Sequence, residues 1–182
     1  MRTFNIKLLA AALVLTAAAP ATFAADGTIT FSGSITAQTC TIAGNGGTGN
    51  FTVTLPTVGA SALSAAGATS GRTPFNISLS GCNPNTGNVS VYFEPGATVD
   101  ASTGRLINTA STNPATNVQI GLLNADQSNI QLGAGQASQN SQQVAINNGS
   151  AVLNYFAQYV ATGGAATSGA VNTSTLYTIS YQ

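Results

Sequence analysis

From Gly27 to Thr36 the chain alternates without a break. Gly27, Ile29, Phe31, Gly33 and Ile35 occupy one parity, and the other parity holds only Ser and Thr. A period of two sets one row of side chains against a core and the other in water, which is the pattern of a β-strand. Such a strand needs a sheet to join, since even a two-stranded hairpin is at best marginal in water. Alternation alone leaves open whose sheet that is. It can be the first strand of the chain's own sandwich, a segment folded back into its own groove, or a strand given to another molecule. Gly33, on the apolar row, weakens the strand and marks a place where another backbone comes close.

The stretch follows a leader. Arg2 and Lys7 precede or flank an uncharged apolar run from Leu8 to Ala19, Pro20 breaks it, and Thr22-Phe23-Ala24 offers small residues for cleavage before Ala25, with a cut after Ala25 as the alternative. This is the pattern of a secretory signal peptide over 1–24. The apolar run is about half of a membrane span, and no later stretch is long and apolar enough to span, so no membrane insertion is expected. A cut behind Ala24 leaves 158 of the 182 residues, enough for one domain with a real core. Two of the four basic residues leave with the leader. Arg72 and Arg105 then face Asp26, Glu94, Asp100 and Asp126, a net −2 without any basic patch. That argues against nucleic acid and anionic membrane as partners. The surface must consist largely of Ser, Thr, Asn, Gln and Gly.

Two cysteines, Cys40 and Cys82, remain in an exported chain. An even count in an oxidising compartment reads as a disulfide. Closing a loop of this length stabilises a fold by about 4 kcal/mol on the chain-entropy account. A redox pair would want a Cys-x-x-Cys spacing instead.

The rest of the chain repeats the opening pattern. Strands are expected at Phe51–Leu55, Phe75–Leu79, Val89–Phe93, Val118–Leu122, around Val144 and Ile146, at Leu153–Val160 and at Tyr177–Tyr181. They are separated by turn signals such as Ser80-Gly81, Glu94-Pro95-Gly96, Asn113-Pro114 and Asn147-Asn148-Gly149. Leu153–Val160 is apolar on both parities, as a central strand would be. Ala60–Ala66 has room for one or two helical turns. About seven short strands with turns between them read as all-β, a sandwich of immunoglobulin-like type.

The side chains of catalysis are scarce. With no histidine there is no His-based triad or imidazole metal site. Glu94 and Asp100 are near in sequence, but both sit beside turn residues and read as solvated loop acids rather than a glycosidase pair. No Asp-x-Asp run suggests calcium, and no Gly-rich loop continues into Lys-Ser/Thr as a phosphate loop does. No enzyme activity, cofactor or metal is expected.

Several segments, taken in order, carry a resemblance along the whole chain: Gly27-Thr-Ile-Thr-Phe-Ser-Gly-Ser-Ile35 with Cys40 five residues on; Phe75-Asn-Ile-Ser-Leu-Ser-Gly-Cys82; Ala115-Thr-Asn-Val-Gln-Ile120; Tyr159-Val-Ala-Thr-Gly-Gly164; and Tyr177-Thr-Ile-Ser-Tyr-Gln182. Tyr181 is penultimate and Gly169 is fourteenth from the end. The chain resembles a type 1 fimbrial major subunit, a pilin of the chaperone–usher pathway.

The resemblance implies an incomplete immunoglobulin-like β-sandwich over 37–182, lacking its last strand and completed by a donor strand from a neighbouring subunit. The donor is the extension 25–36, with Gly27, Ile29, Phe31, Gly33 and Ile35 facing the neighbour's groove. The strand ending in this chain at Gln182 is expected to keep an open edge, and Gly169, Tyr177, Ile179 and Tyr181 would contact chaperone or neighbouring subunit. Implied partners are identical or related pilin subunits in a homopolymer, a periplasmic pilus chaperone and an outer-membrane usher. The route runs through the periplasm to a cell-surface fimbrium that supports adhesion. A minor adaptor near the fibre tip and a monomeric secreted immunoglobulin-like module are the alternatives. A tip adhesin would carry a further N-terminal receptor domain and no donor strand.

Overall fold

The structure is a computed structural model that describes residues 27–33 and 39–182. The leader 1–24, with Ala25, Asp26 and the stretch containing Ile35, lies outside the described residues. Residues 27–33 belong to one unit of the chain (1–35) and residues 39–182 to another (36–182). Residues 27–33 form no regular secondary structure, and Ile29 and Phe31 are 80% and 90% exposed.

The second unit is built of β1 (Thr39–Gly44), β2 (Thr69–Asn83), β3 (Asn88–Phe93), β4 (Val99–Asp100), β5 (Arg105–Ile107), β6 (Val118–Asn124), β7 (Gln143–Ala145), β8 (Ala151–Ala161) and β9 (Tyr177–Tyr181). Two short 3-10 turns, Ala60–Leu63 and Gln136–Ser138, interrupt the loops. One sheet has the order β1-β2-β8-β6-β5-β4 and the other β7-β3-β9. Every ladder is antiparallel.

The apolar parities of the sequence close this sandwich. Phe75, Ile77 and Leu79 of β2, Leu153 and Tyr155 of β8, and Ile120 and Leu122 of β6 point inward. They meet Val89, Val91 and Phe93 of β3 and Ile179 of β9 in one core. Tyr155 stacks on Phe75 and takes Phe93 edge-on, both at 5.5 Å between ring centroids. As its sequence suggests, β8 is interior, lying between β2 and β6. Asn148 and Gly149 adopt φ of 49° and 73° in the turn before β8, the two left-handed residues that a tight hairpin with right-handed strand twist requires.

Cys40 and Cys82 are joined, with 4.1 Å between Cα atoms. The bond clamps the start of β1 to the end of β2. Cys82 also donates its amide to Gly149, whose own amide goes to Asn85, while Asn88 and Gln182 exchange amide–carbonyl bonds. The disulfide, the β7–β8 turn and the end of β9 therefore share one pole of the sandwich. At the opposite pole Leu63, Ala115, Val118, Ala161 and Ala166 form a smaller cluster, packed by Val58 and Val171.

The expected strand at Phe51–Leu55 is not found. Residues 51–55 are extended and alternate between half-buried and exposed, but no backbone partner for them exists among the described residues. Alternation reports a face against a core; it does not report a neighbour in the sheet.

Candidate functional site

An open cleft of about 1160 Å³ runs between two chain segments and exposes the core between them. One wall is β9 with the extended residues 171–176 before it, and the other is Gly49–Leu55. Core side chains, among them Phe75, Ile77, Ile120, Leu122 and Ala157, form the floor.

The wall at β9 is an unfinished sheet edge. Asn88 pairs with Gln182 by two bonds, and the Glu94 amide donates to Leu176 at 2.8 Å. The register is constant between them. In an antiparallel ladder hydrogen-bonded pairs alternate with non-bonded ones. Thr178 and Ser180 therefore spend their backbone groups on β3, and Tyr177, Ile179 and Tyr181 turn theirs away from it, toward the cleft. Their side chains point inward: Ile179 is buried and the two tyrosines are half-buried. Burial raises both phenol pKa values above the ordinary range. The inward row continues upstream through Val171, Thr173 and Thr175, alternating with exposed residues. Thr173 Oγ1 is buried and has no hydrogen-bond partner among the described residues.

The other wall runs the opposite way to β9. Tyr177 bonds Gly49 and its ring meets Phe51 edge-on at 6.3 Å, whereas Val58 and Val171 both pack on the cluster at the far pole. The backbone of 51–58 is bonded to no described backbone group. The cleft thus has apolar floor, two extended walls and free main-chain donors and acceptors, all the requirements of a missing strand.

The second edge of the small sheet is treated differently. β7 covers β3 only as far as Ser90. Beyond it, Gln139, fully buried at 0% exposure, accepts from the Phe93 amide and donates to the Phe93 carbonyl, both at 2.8 Å. A side-chain amide stands in for a strand and seals that edge.

Gly169 is not part of the β9 wall. A Cβ there would lie 2.4 to 2.7 Å from backbone atoms of Asn113, Pro114 and Ala115, next to the Pro114–Ala170 bridge. Its position allows two backbones to touch. Glu94 and Asp100 do not form a pair. Glu94 accepts from Thr178. Asp100 accepts from Ser102 and Gln119, and these bonds hold its carboxyl down to about 2.

Known proteins agree with this geometry. The family model of the type-1 fimbrial protein, A, matches residues 55–182. The major fimbrial subunit SMF-1 of Stenotrophomonas maltophilia is 54% identical over 151 residues, covering 81% of this chain and 87% of that protein. The chain belongs to the type-1 fimbrial subunit family. The F17 fimbrial protein of Escherichia coli is 50% identical over 150 residues, covering 80% of this chain and 81% of that protein. In fold, the fimbrial subunit matches the P pilus rod subunit PapA with a TM-score of 0.58 at 21% identity, over 79% of this chain and 99% of that one. The sandwich is thus the incomplete immunoglobulin-like fold of pilins, and the protein is a structural fimbrial subunit that assembles with other pilin subunits. No helix among the described residues is long and apolar enough to cross a membrane.

What the sequence missed is the second wall. Phe51–Leu55 looked like an ordinary strand. Its one distinguishing signal was the Gly44–Gly49 loop, which carries the chain from β1 in one sheet to the mouth of the cleft.

Proposed function

We propose that this subunit polymerises by giving residues 27–35 to the cleft of the next copy, where Gly27, Ile29, Phe31, Gly33 and Ile35 face the floor. The observation that carries the reading is the edge of β9, with the backbone groups of Tyr177, Ile179 and Tyr181 unpaired above an exposed core. β-strand addition supplies main-chain bonds for affinity and alternate side chains for register, a mode for which chaperone–pilin complexes are a standing example. Burying two Ile and one Phe contributes about 5–9 kcal/mol before ordering costs.

Covalent reach supports exchange between copies. Nine residues of strand are about 27 Å long, while Ile35 and Thr39 are at most about 14 Å apart. Thr39 lies at the pole where β9 ends, since it pairs with Asn83 beside the disulfide. A strand antiparallel to β9 has its C-terminal end at the other pole, too far for its own Thr39. Antiparallel filling therefore requires a second copy, and only a parallel strand could fill its own cleft. β9 is the wall already laddered into a sheet, and a strand added to it antiparallel continues the pattern of the β3–β9 ladder.

Until a neighbour arrives the open edge needs cover, which a periplasmic chaperone supplies before an outer-membrane usher adds the subunit to a surface fimbrium that supports adhesion. The role is structural and non-catalytic. A rod subunit is favoured over a tip adaptor by the similarity to a protein named a major subunit.

The parity of the donated strand tests this. Phe31→Asp places an unpaired charge in an apolar cleft, at several kcal/mol, and should abolish fibres seen by electron microscopy. Thr30→Asp changes the opposite face and should be much milder. Equal damage from both, or normal fibres from Phe31→Asp, would refute strand donation.

A further inference from the structure

We infer that the outer face of the large sheet holds a binding site for a carboxylate-bearing sugar, with Arg72 as its anion anchor and Phe156 as its platform. The site lies on the face turned away from the core and the cleft, and it stands whether or not copies exchange strands.

A bulge presents the anchor. In the β2–β8 ladder Ser70 faces Tyr159 and Thr73 faces Ala157, so Gly71 and Arg72 together oppose Gln158. Gly71 has φ of 68°, the left-handed conformation of a bulge opened by glycine, a device that re-aims a side chain. Arg72 is exposed; its Nε donates to Gln158 Oε1 at 3.0 Å and its Nη1 donates to Gln127 Oε1. β8 lies between β2 and β6, and Gln127 follows the end of β6, so the guanidinium reaches across β8 beside Phe156. Two glutamines thus fix the fork, and three of its five N–H groups have no partner among the described residues. No carboxylate among those residues bonds it. Arg105, the other described cation, faces Asp100 across the β4–β5 ladder.

The surroundings of the anchor suit a sugar ring. Pro74 faces Phe156 and Asn76 faces Asn154 on the outer parity, since Phe75 and Tyr155 between them are buried in the core. Phe156 is half-buried, and Pro74 and Asn154 are exposed. Asn76 and Asn154 bond described residues through their backbones and leave their side-chain amides free. An apolar ring bordered by free amides and a fixed planar cation matches a saccharide, which has C–H groups on its face and hydroxyls at its rim. A carboxylate on that saccharide meets the guanidinium by paired bonds. A second copy of this chain is a poor source of the carboxylate, because Glu94, Asp100 and Asp126 each already accept bonds of their own. One such site is weak, but a fibre of fimbrial subunits repeats it, and multivalency multiplies weak binding.

Purified fibres passed over immobilised polygalacturonate and polysialate test the site, with neutral dextran as the blank. Wild-type fibres should bind one or both acidic polymers, ignore dextran, and release as salt is raised, since an exposed ion pair is screened. Binding to one polymer alone assigns the carboxylate to a uronate or to a sialate. Arg72→Gln should lower binding about tenfold or more, and Arg72→Lys, which keeps the charge but not the fork, should recover only part of it. Phe156→Leu should weaken binding severalfold, and Arg105→Gln should bind as wild type. Wild-type fibres that bind neither acidic polymer, or bind dextran equally, would overturn the site. So would full binding by Arg72→Gln fibres, or an equal loss in Arg105→Gln, which marks a general charge effect. If Arg72→Gln subunits form no fibres, Phe156→Leu decides, and undiminished binding by that variant overturns the platform.

Discussion

The Tyr177 hydroxyl donates to the carbonyl of Gly49 at 2.7 Å, joining residues 128 positions apart across the cleft. It is the side-chain bond by which the unpaired wall is held to β9. Tyr177→Phe keeps the ring against Phe51 and removes the tie. The expected result is a loss of about 1 kcal/mol in the unfilled subunit, with faster limited proteolysis confined to 49–55. Unchanged cleavage there would show that Phe51 packing alone holds the wall.

Gln139 guards the other edge of the same sheet. Gln139→Leu conserves much of the volume but leaves the Phe93 amide and carbonyl buried without partners, at about 1–3 kcal/mol each. Denaturant unfolding should show a loss in that range or above. Gln136→Ala, on the exposed neighbour, should cost far less.

Gly169→Ala would set a methyl group into backbone that cannot step aside. A destabilisation of about 1–3 kcal/mol or more is expected from overpacking alone. Gly96 has no atom within 4 Å of its would-be Cβ, so Gly96→Ala is the neutral control. Comparable melting temperatures for the two variants would contradict the close approach.

Alkaline pH should weaken the fold. Burial raises the phenol pKa of Tyr155, Tyr159, Tyr177 and Tyr181. A phenol whose pKa is higher folded than unfolded binds its proton more tightly in the native state. Its contribution is full below the unfolded value near pH 10 and is lost as pH rises through the folded one. Thermal melts should be level up to about pH 9 and fall beyond pH 10. Tyr155→Phe, at the most buried of the four, should flatten that fall.

Much of this was legible in the residues. Period-two alternation located β2, β3, β6 and β9, and the two-sided apolarity of Leu153–Val160 located β8 and foretold that it is interior. Alternation could not foretell β1, where Cys40 and Gly44 interrupt the pattern, or the short β4 and β5, whose two and three residues are too few to show a period. It placed Phe51, Val53 and Leu55 against the core correctly and was silent on whether anything lay beside them. Pairing is a matter of neighbours distant in the chain, and no local pattern encodes it. Gly169 was legible as a position and its local constraint was not, because that comes from Asn113–Ala115, more than fifty residues earlier. Gln139 gave no signal at all, being one glutamine in a loop full of polar residues.

The disulfide at the foot of β1 has a mechanical meaning. In a fibre of donated strands, a pull along the axis enters each body through the chain just ahead of Thr39. Without Cys40–Cys82 that pull would be resisted by the β1–β2 ladder alone, an edge strand of six residues loaded from its end. The bond passes the force at once to Cys82, near the end of β2, a strand of fifteen residues whose other flank is laddered to β8. Tension is thereby delivered to the middle of the large sheet, and the edge strand is relieved of it. A fibre whose disulfides had been reduced would keep its joints and fail by unravelling its subunits from β1.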